Sequence, residues 1–437
     1  MPEACDNIRV VAVPGMATET SEEFAARNLK WNAPVLLMEA GLFIFGLAVF
    51  DGATVFPVLM NKLGSPDWLI GVTRFLQTIG FAVPSLIAAH YIHGRPYHKR
   101  FMLGTTAVGR SLVQTLWPVI LFFGRDHPRL ALGYIVVVYS AFWMVDGFCA
   151  VSWTDIVAKA IPSSFRGRFF GLMQSISGVL AVVAGGIVTW VLEKQAFGFP
   201  ENYAVLAAFW AGSSVTSFLF LTSVREPVGV HIDPSEKPAF GSFLKGMMPL
   251  LKKYPRVRSI VLLRWTLDGT GLATAYYVLH AQERLGVAVA ATGVYLIAKN
   301  VGKIATGPLW GLISDRYSPI LTVRIIACCI LAVPALGIAS SYVSPLLMIP
   351  LFFLMGTAED GLWTTCQNLL YASVGEADRP LAIGVVTTAL TICAVYSLAG
   401  GVIATFMGYQ ATFYGALAFG LAGLIVALKI PRQNPAA

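Results

Sequence analysis

The chain has 437 residues, 56% hydrophobic and only 12% charged, with a net charge of +8 and a mean hydropathy of +0.70. A soluble domain carries about 25% charged residues, so this composition excludes a water-soluble globular protein and turns much of the surface toward lipid. The positive balance does not require nucleic acid, because cytoplasmic loops of membrane proteins hold excess Lys and Arg.

In chain order, residues 1–34 form a polar leader in which Ser21-Glu22-Glu23 can cap a short surface helix carrying Phe24, Leu29 and Trp31. Six apolar spans follow, at 35–60, 67–91, 101–123, 130–157, 168–193 and 202–223. Residues 224–257 interleave Phe240, Phe243, Leu244, Met247 and Leu251 with Lys245, Lys252 and Lys253. This reads as a cytoplasmic amphipathic linker against an anionic leaflet. Six more spans fall at 258–282, 289–313, 319–340, 343–371, 380–406 and 410–430, before a tail at 431–437. The expectation is an all-α membrane protein of 12 transmembrane helices in two six-helix bundles, 35–223 and 258–430. With both termini cytoplasmic, inside segments hold 21 Lys and Arg and outside loops hold 5, which supports that topology and a bacterial inner membrane. No signal peptide precedes the first span.

One dipeptide recurs inside the apolar stretches: Asp51-Gly52, Asp146-Gly147, Asp268-Gly269 and Asp360-Gly361. With 11 Asp and 41 Gly in the chain, chance predicts about one such pair. The two halves also align at Gly71-Val72 with Gly293-Val294, Gly80 with Gly302, Gly185-Gly186 with Gly400-Gly401, and Arg166 with Arg379. Six helices repeated as six, each six divisible into three plus three, is a transporter architecture.

The segment Gly311-Leu312-Ile313-Ser314-Asp315-Arg316 resembles the loop signature of the major facilitator superfamily. The stretch from Trp153 and Asp155 through Pro162, Arg166, Gly167, Arg168 and Gly171 resembles the helix 4–5 turn of a bacterial branch of its permeases. The resemblance covers nearly the whole chain. In the first half Ala89 and His93 replace the loop signature's Gly and Asp. The drug/proton antiporter signature is missing, since Ala181-Val182 stand where a Gly-Pro pair would precede Gly185-Gly186. This disfavours a conventional multidrug exporter.

The resemblance implies that helices 1, 4, 7 and 10, which carry the four Asp-Gly pairs, line a central cavity. A charge at the bilayer centre costs about 2.5–3.5 kcal/mol, so the intramembrane charges must meet water or one another. The candidates for binding substrate or a proton are Asp51, Arg74, Arg110, Asp146, Arg264, Asp268, Lys299, Lys303, Glu359 and Asp360. Arg264 and Asp268 are four apart and can pair permanently, as can any acid and base among these groups. Lys299 and Lys303 share a helix face and repel unless a carboxylate or an anionic ligand lies between them. Asp51 and Asp146 have no base on their own helix and are the best candidates for free acids. The resemblance further implies a breakable cytoplasmic latch involving Asp155, Arg166, Arg168, Gly311, Asp315 and Arg316. Trp143, Trp363, Tyr276 and Tyr277 suit either packing or stacking on a solute.

These features point to a monomeric, proton-coupled secondary transporter for a small charged or zwitterionic organic solute. Efflux of amphipathic compounds is the alternative within the class, and a non-transporting receptor on the same fold is the alternative outside it. Gly302-Lys303 is followed by Ile304, so no phosphate loop is present, and no G-x-S-x-G or metal-ligand cluster supports an enzyme. Neither a metal nor another cofactor is implied, and the six Cys lack C-x-x-C spacing.

Overall fold

In a computed structural model, residues 21–92, 95, 97–193, 198–228, 249–371, 373–374 and 379–430 are described, and they form helices without strands. Lipid offers no hydrogen bonds to the backbone, so each apolar run satisfies its own peptide groups by coiling. Span 1 comprises α1 (Ser21–Val49) and α2 (Val55–Lys62); spans 2 and 3 are α3 (Asp67–Ile92) and α4 (Lys99–Gln114) with α5 (Leu116–Phe123). Spans 4 to 6 are α6 (Pro128–Ala160), α7 (Ser163–Glu193) and α8 (Glu201–Thr222). In the second half, span 7 comprises α9 (Pro255–Asp268) and α10 (Tyr276–Glu283), and spans 8 to 10 are α11 (Ala291–Arg316), α12 (Pro319–Ser340) and α13 (Met348–Tyr371). Span 11 comprises α14 (Arg379–Thr391) and α15 (Val395–Met407), and span 12 is α16 (Tyr409–Lys429).

Two expectations change. The helix expected over Ser21 to Trp31 is not a separate surface helix, because α1 begins at Ser21 and continues without interruption into span 1. Nor do all four Asp-Gly pairs lie within continuous helix. Asp51-Gly52 falls in the break between α1 and α2, and Asp268 ends α9 before a 3-10 turn at Gly269–Ala273. Asp146-Gly147 and Asp360-Gly361 lie in unbroken helices. The amphipathic residues 240–248 of the linker lie outside the described residues, while 249–253 are helical.

Nine of the described helices are long and apolar enough to cross a membrane. Spans 7, 8 and 10 fall short of that standard. Span 7 is interrupted after Asp268, α11 carries Lys299, Lys303, Asp315 and Arg316, and only Pro345–Glu359 of span 10 qualifies as a shorter apolar helix. The helices that depart most from a plain lipid-spanning segment therefore carry most of the candidate charges.

Among the described residues the halves share a core at one end. There a single apolar core runs through both, from Phe50, Phe56, Tyr139 and Trp210 of the first to Tyr276, Tyr295, Phe352 and Phe413 of the second. At the end bearing the termini the core divides into two separate clusters, one around Leu36, Ile156 and Phe169, the other around Ile260, Ile326 and Leu362. The closed end is sealed by two glycine crossings. A Cβ on Gly71 (α3) would lie 2.9 Å from the Cα of Gly401 (α15), and one on Gly293 (α11) would lie 2.5 Å from the carbonyl oxygen of Gly185 (α7). Gly71 and Gly293 align between the halves in the sequence, and their partners Gly401 and Gly185 come from the aligned Gly-Gly pairs, offset by one residue, so the pseudo-symmetry extends approximately to the seal.

Candidate functional site

Asp51 is built by the break in span 1. Its Oδ1 accepts from the Ala53 N–H and the Thr54 hydroxyl, both at 2.9 Å, and its carbonyl accepts from the Phe56 N–H at 3.0 Å. One oxygen thus ties down the turn that leads into α2, and Oδ2 is left facing the second half. There it lies 3.6 Å from the ammonium of Lys299. Lys299 is only 8% exposed and also lies 3.3 Å from Oε1 of Glu359. Close packing of α11 on α13 sets that geometry, since a Cβ on Gly356 would fall 1.8 Å from the Lys299 carbonyl oxygen. One buried cation therefore joins an acid from each half.

A second pair lies one helix away. Both Nε and Nη2 of Arg264 donate to Oδ2 of Asp268, each at 3.0 Å. Arg74 is different, for its guanidinium donates to Gln77 at 2.7 Å and has no carboxylate partner among the described residues. It lines a cavity of about 280 Å3 with Arg264, Asp268, Thr270, Thr274, Tyr277, Met355 and Glu359. It also lines a neighbouring space with Gln77, Phe81, Trp143 and Thr391. A third space, about 400 Å3 between α7 and α11, is lined by Gln174, Ser177, Asn300 and Lys303. These spaces lie between the halves below the seal, where mixed-sign charge and hydroxyl groups can hold a polar solute.

The Asp-Gly glycines are sites of close approach. A Cβ would meet the Tyr139 hydroxyl at 2.8 Å from Gly52, the Phe81 carbonyl oxygen at 2.4 Å from Gly147, the Phe419 ring at 2.4 Å from Gly269, and the Trp310 indole at 2.7 Å from Gly361. Any side chain larger than hydrogen would push these helices apart.

The C-terminal part of the chain, residues 259–437, matches the family model of the Major Facilitator Superfamily. No curated protein matches the sequence. Among solved structures, the nucleoside transporter NupG is similar with a TM-score of 0.68 at 13% identity, covering 91% of this chain and 98% of its own. A peptide transporter POT in complex with sulfate gives 0.68 at 10%, covering 94% and 97%. A D-xylose-proton symporter gives 0.64 at 16%, covering 91% and 96%. The second half of the chain thus matches the Major Facilitator Superfamily, and the chain as a whole shares the fold of these solved transporters.

Within this fold the remaining candidates separate. Arg110 is buried inside the first half rather than at the cavity. It lies 4.0 Å from Glu39 and 4.2 Å over the Phe43 ring, and 3.5 Å from the Ser217 hydroxyl. Asp146 faces the same interior, with Arg110 and Glu39 as charged neighbours. Lys299 and Lys303 do not share one counter-charge, because Lys299 takes two carboxylates while Lys303 faces the α7–α11 space. Asp51, expected to be a free acid, instead holds Lys299, Ala53 and Thr54. The side chains of Asp360, Trp363 and Asp315 lie outside the described residues.

Among the described residues no ion pair joins the halves at the other end. Asp155 lies 2.6 Å from Nδ1 of His98 and 2.5 Å from Lys159, all within the first half. Arg166 donates to the carbonyls of Ala158 and Ile161 at the end of α6. Arg168 and Arg316 are exposed, and Gly311 has open space where a Cβ would stand. Tyr276 and Tyr277 stack on Tyr409 and Phe413 as packing.

Sequence reasoning missed Glu39. It is 3% exposed and accepts from Trp153 at 2.8 Å and from Ser217 at 3.1 Å. Its signal was an acid inside the first apolar span, passed over beside the repeated Asp-Gly pairs.

Proposed function

We propose that this protein is a proton-coupled secondary transporter of a small charged or zwitterionic organic solute, working by alternating access. The observation that carries this reading is Lys299 held between Asp51 and Glu359. Among the described residues the Lys299–Asp51 contact is the one ion pair that joins the two halves. A proton on either acid, or an anionic solute competing for the ammonium, weakens that bond and frees the halves to rock. Arg74 has no carboxylate to give up before binding and is the anchor for a solute carboxylate or phosphate. Glu359, with a side chain 40% exposed, is the group within reach of a solute ammonium. With the termini cytoplasmic, as the Lys and Arg distribution supports, the sealed end is external and the cavity opens inward. The protein then lies in the inner membrane as a single chain. The fold it shares with a D-xylose-proton symporter is one that accommodates proton coupling.

The test begins with a thermal-shift screen of charged metabolites at two pH values, then follows uptake of the hits into liposomes under an imposed pH gradient. Gradient-driven uptake by the wild type and its loss in Asp51→Asn support the reading. Equal gradient-driven uptake in both removes Asp51 from proton coupling, and uptake indifferent to the gradient removes proton coupling altogether.

A further inference from the structure

At the sealed end a polar group bridges the halves outside every Asp-Gly pair. The Tyr409 hydroxyl of α16 lies 2.9 Å from Oε2 of Glu283 (α10) and 3.2 Å from Oδ1 of Asp67 (α3). Asn61 of α2 donates to Oε1 of Glu283 at 2.6 Å. The Tyr276 hydroxyl donates to the Asp67 carbonyl at 3.1 Å, and the Tyr276 and Tyr409 rings stack at 5.9 Å. Asp67 and Asn61 belong to the first half; Glu283, Tyr276 and Tyr409 belong to the second.

The hydrogens do not suffice. A phenol carries one hydrogen, and ionised carboxylates carry none. Tyr409 can therefore donate to Asp67 or to Glu283 but not to both at once. Both short contacts become hydrogen bonds only when one more proton is present on one of the two acids. With both acids ionised, one oxygen faces the hydroxyl without a hydrogen between them, and two like charges from opposite halves adjoin one group.

We propose that Asp67, Tyr409 and Glu283 form a proton-binding clasp that holds this end of the transporter shut when it carries a single added proton and lets it open when that proton leaves. Glu283 is exposed and Asp67 half-buried, so the clasp exchanges protons with the solution on the sealed side while the seal is intact. The sign follows from linkage. The closed state binds the extra proton more tightly than the open one, so raising pH favours opening, by at most about tenfold in the closed-to-open ratio per pH unit for one proton.

Among the described residues the other charged or titratable neighbours are few. Arg284 acts electrostatically on Asp67 and partly offsets its charge. Tyr276 donates to the backbone as above. Lys62, on α2, is exposed. His280, one turn before Arg284, is buried and lies 2.8 Å from the Ser341 hydroxyl. It is the one imidazole among these described neighbours, and the test separates it.

Spin labels at Asp126 and Val343, in loops of the two halves at the sealed end, report opening by their separation in the purified full chain. Wild type is expected to show the short distance at about pH 5 and a growing long-distance fraction toward about pH 8. In Asp67→Asn/Glu283→Gln the amides supply the missing hydrogens, so the short distance should persist across the whole range. Tyr409→Phe keeps the ring stack but removes the bridge, so the long distance should appear even at the low-pH end. A pH response of wild-type size in the double variant would assign the proton to His280 or elsewhere and overturn the clasp. So would a wild type whose distances ignore pH. The measurement needs neither a solute nor a gradient, so it can fail while Asp51-linked transport stands, and the reverse.

Discussion

The ammonium of Lys299 lies 3.6 Å from Asp51 across the two halves and 3.3 Å from Glu359 within its own. Removing it leaves Asp51 facing Glu359 without a counter-charge, and breaking a buried pair from one side costs about 3–5 kcal/mol. Lys299→Met should therefore lower the melting temperature clearly. Lys299→Met/Asp51→Asn, which removes both partners of the cross-half pair, should recover most of that loss while leaving transport abolished. Melting by intrinsic fluorescence checks the first part, and an unaltered melting temperature in Lys299→Met would show that the pair is not structural.

Arg264 and Asp268 behave differently, because both lie on α9 and their bond does not cross the halves. A double-mutant cycle with Arg264→Met and Asp268→Asn should give a coupling energy of about 0.5–3 kcal/mol in stability. Each single variant should melt lower than the double variant. Additive losses would mean that the two side chains act independently despite their 3.0 Å contact.

How much of this was legible beforehand differs from residue to residue. The spans were readable because lipid enforces long apolar runs, and the Arg264–Asp268 pair was readable because both groups share one helix face. The partner of Asp51 was not, since Lys299 is 248 residues away in the chain and only packing of the halves brings them together. The break at Asp51 was hidden for a related reason. An Asp-Gly pair can cap a helix start or sit within a continuous helix, and surrounding contacts decide between them. Asp51 holds the turn before α2 through Ala53 and Thr54, whereas Asp146 lies within an unbroken α6. Arg110 shows the limit of counting charges, for the sequence placed it among the cavity groups and the structure buries it against Glu39 and Phe43.

Among the described residues the Arg74 guanidinium donates to Gln77 alone and forms no ion pair, so its charge contributes little to holding the helices together. Arg74→Gln should leave the melting temperature close to wild type and raise the KM for an anionic solute by about tenfold or more, with kcat less affected. Arg74→Lys should restore the charge but not the two-pronged geometry, and so recover only part of the affinity. Uptake kinetics with a solute from the thermal-shift screen decide the matter. An unchanged KM in Arg74→Gln would place the anion elsewhere, with Lys303 as the next cation to test.

The glycine crossings make the last prediction. A Cβ on Gly71 would lie 2.5 Å from the Ser397 carbonyl oxygen, and one on Gly293 would lie 2.2 Å from the Thr189 hydroxyl. Such contacts exist only while the end is sealed, so an added methyl group penalises the closed state and spares the open one. Overpacking of this kind costs about 1–3 kcal/mol, which shifts a two-state equilibrium about 5–150-fold. Gly71→Ala and Gly293→Ala should each lengthen the distance between labels at Asp126 and Val343. Gly186→Ala is the control, because a Cβ there meets nothing within 4 Å although it neighbours the crossing residue Gly185. If all three variants keep the wild-type distance, the crossings yield without opening the seal. If Gly186→Ala opens it as well, the shift comes from altered helix propensity rather than from the contact.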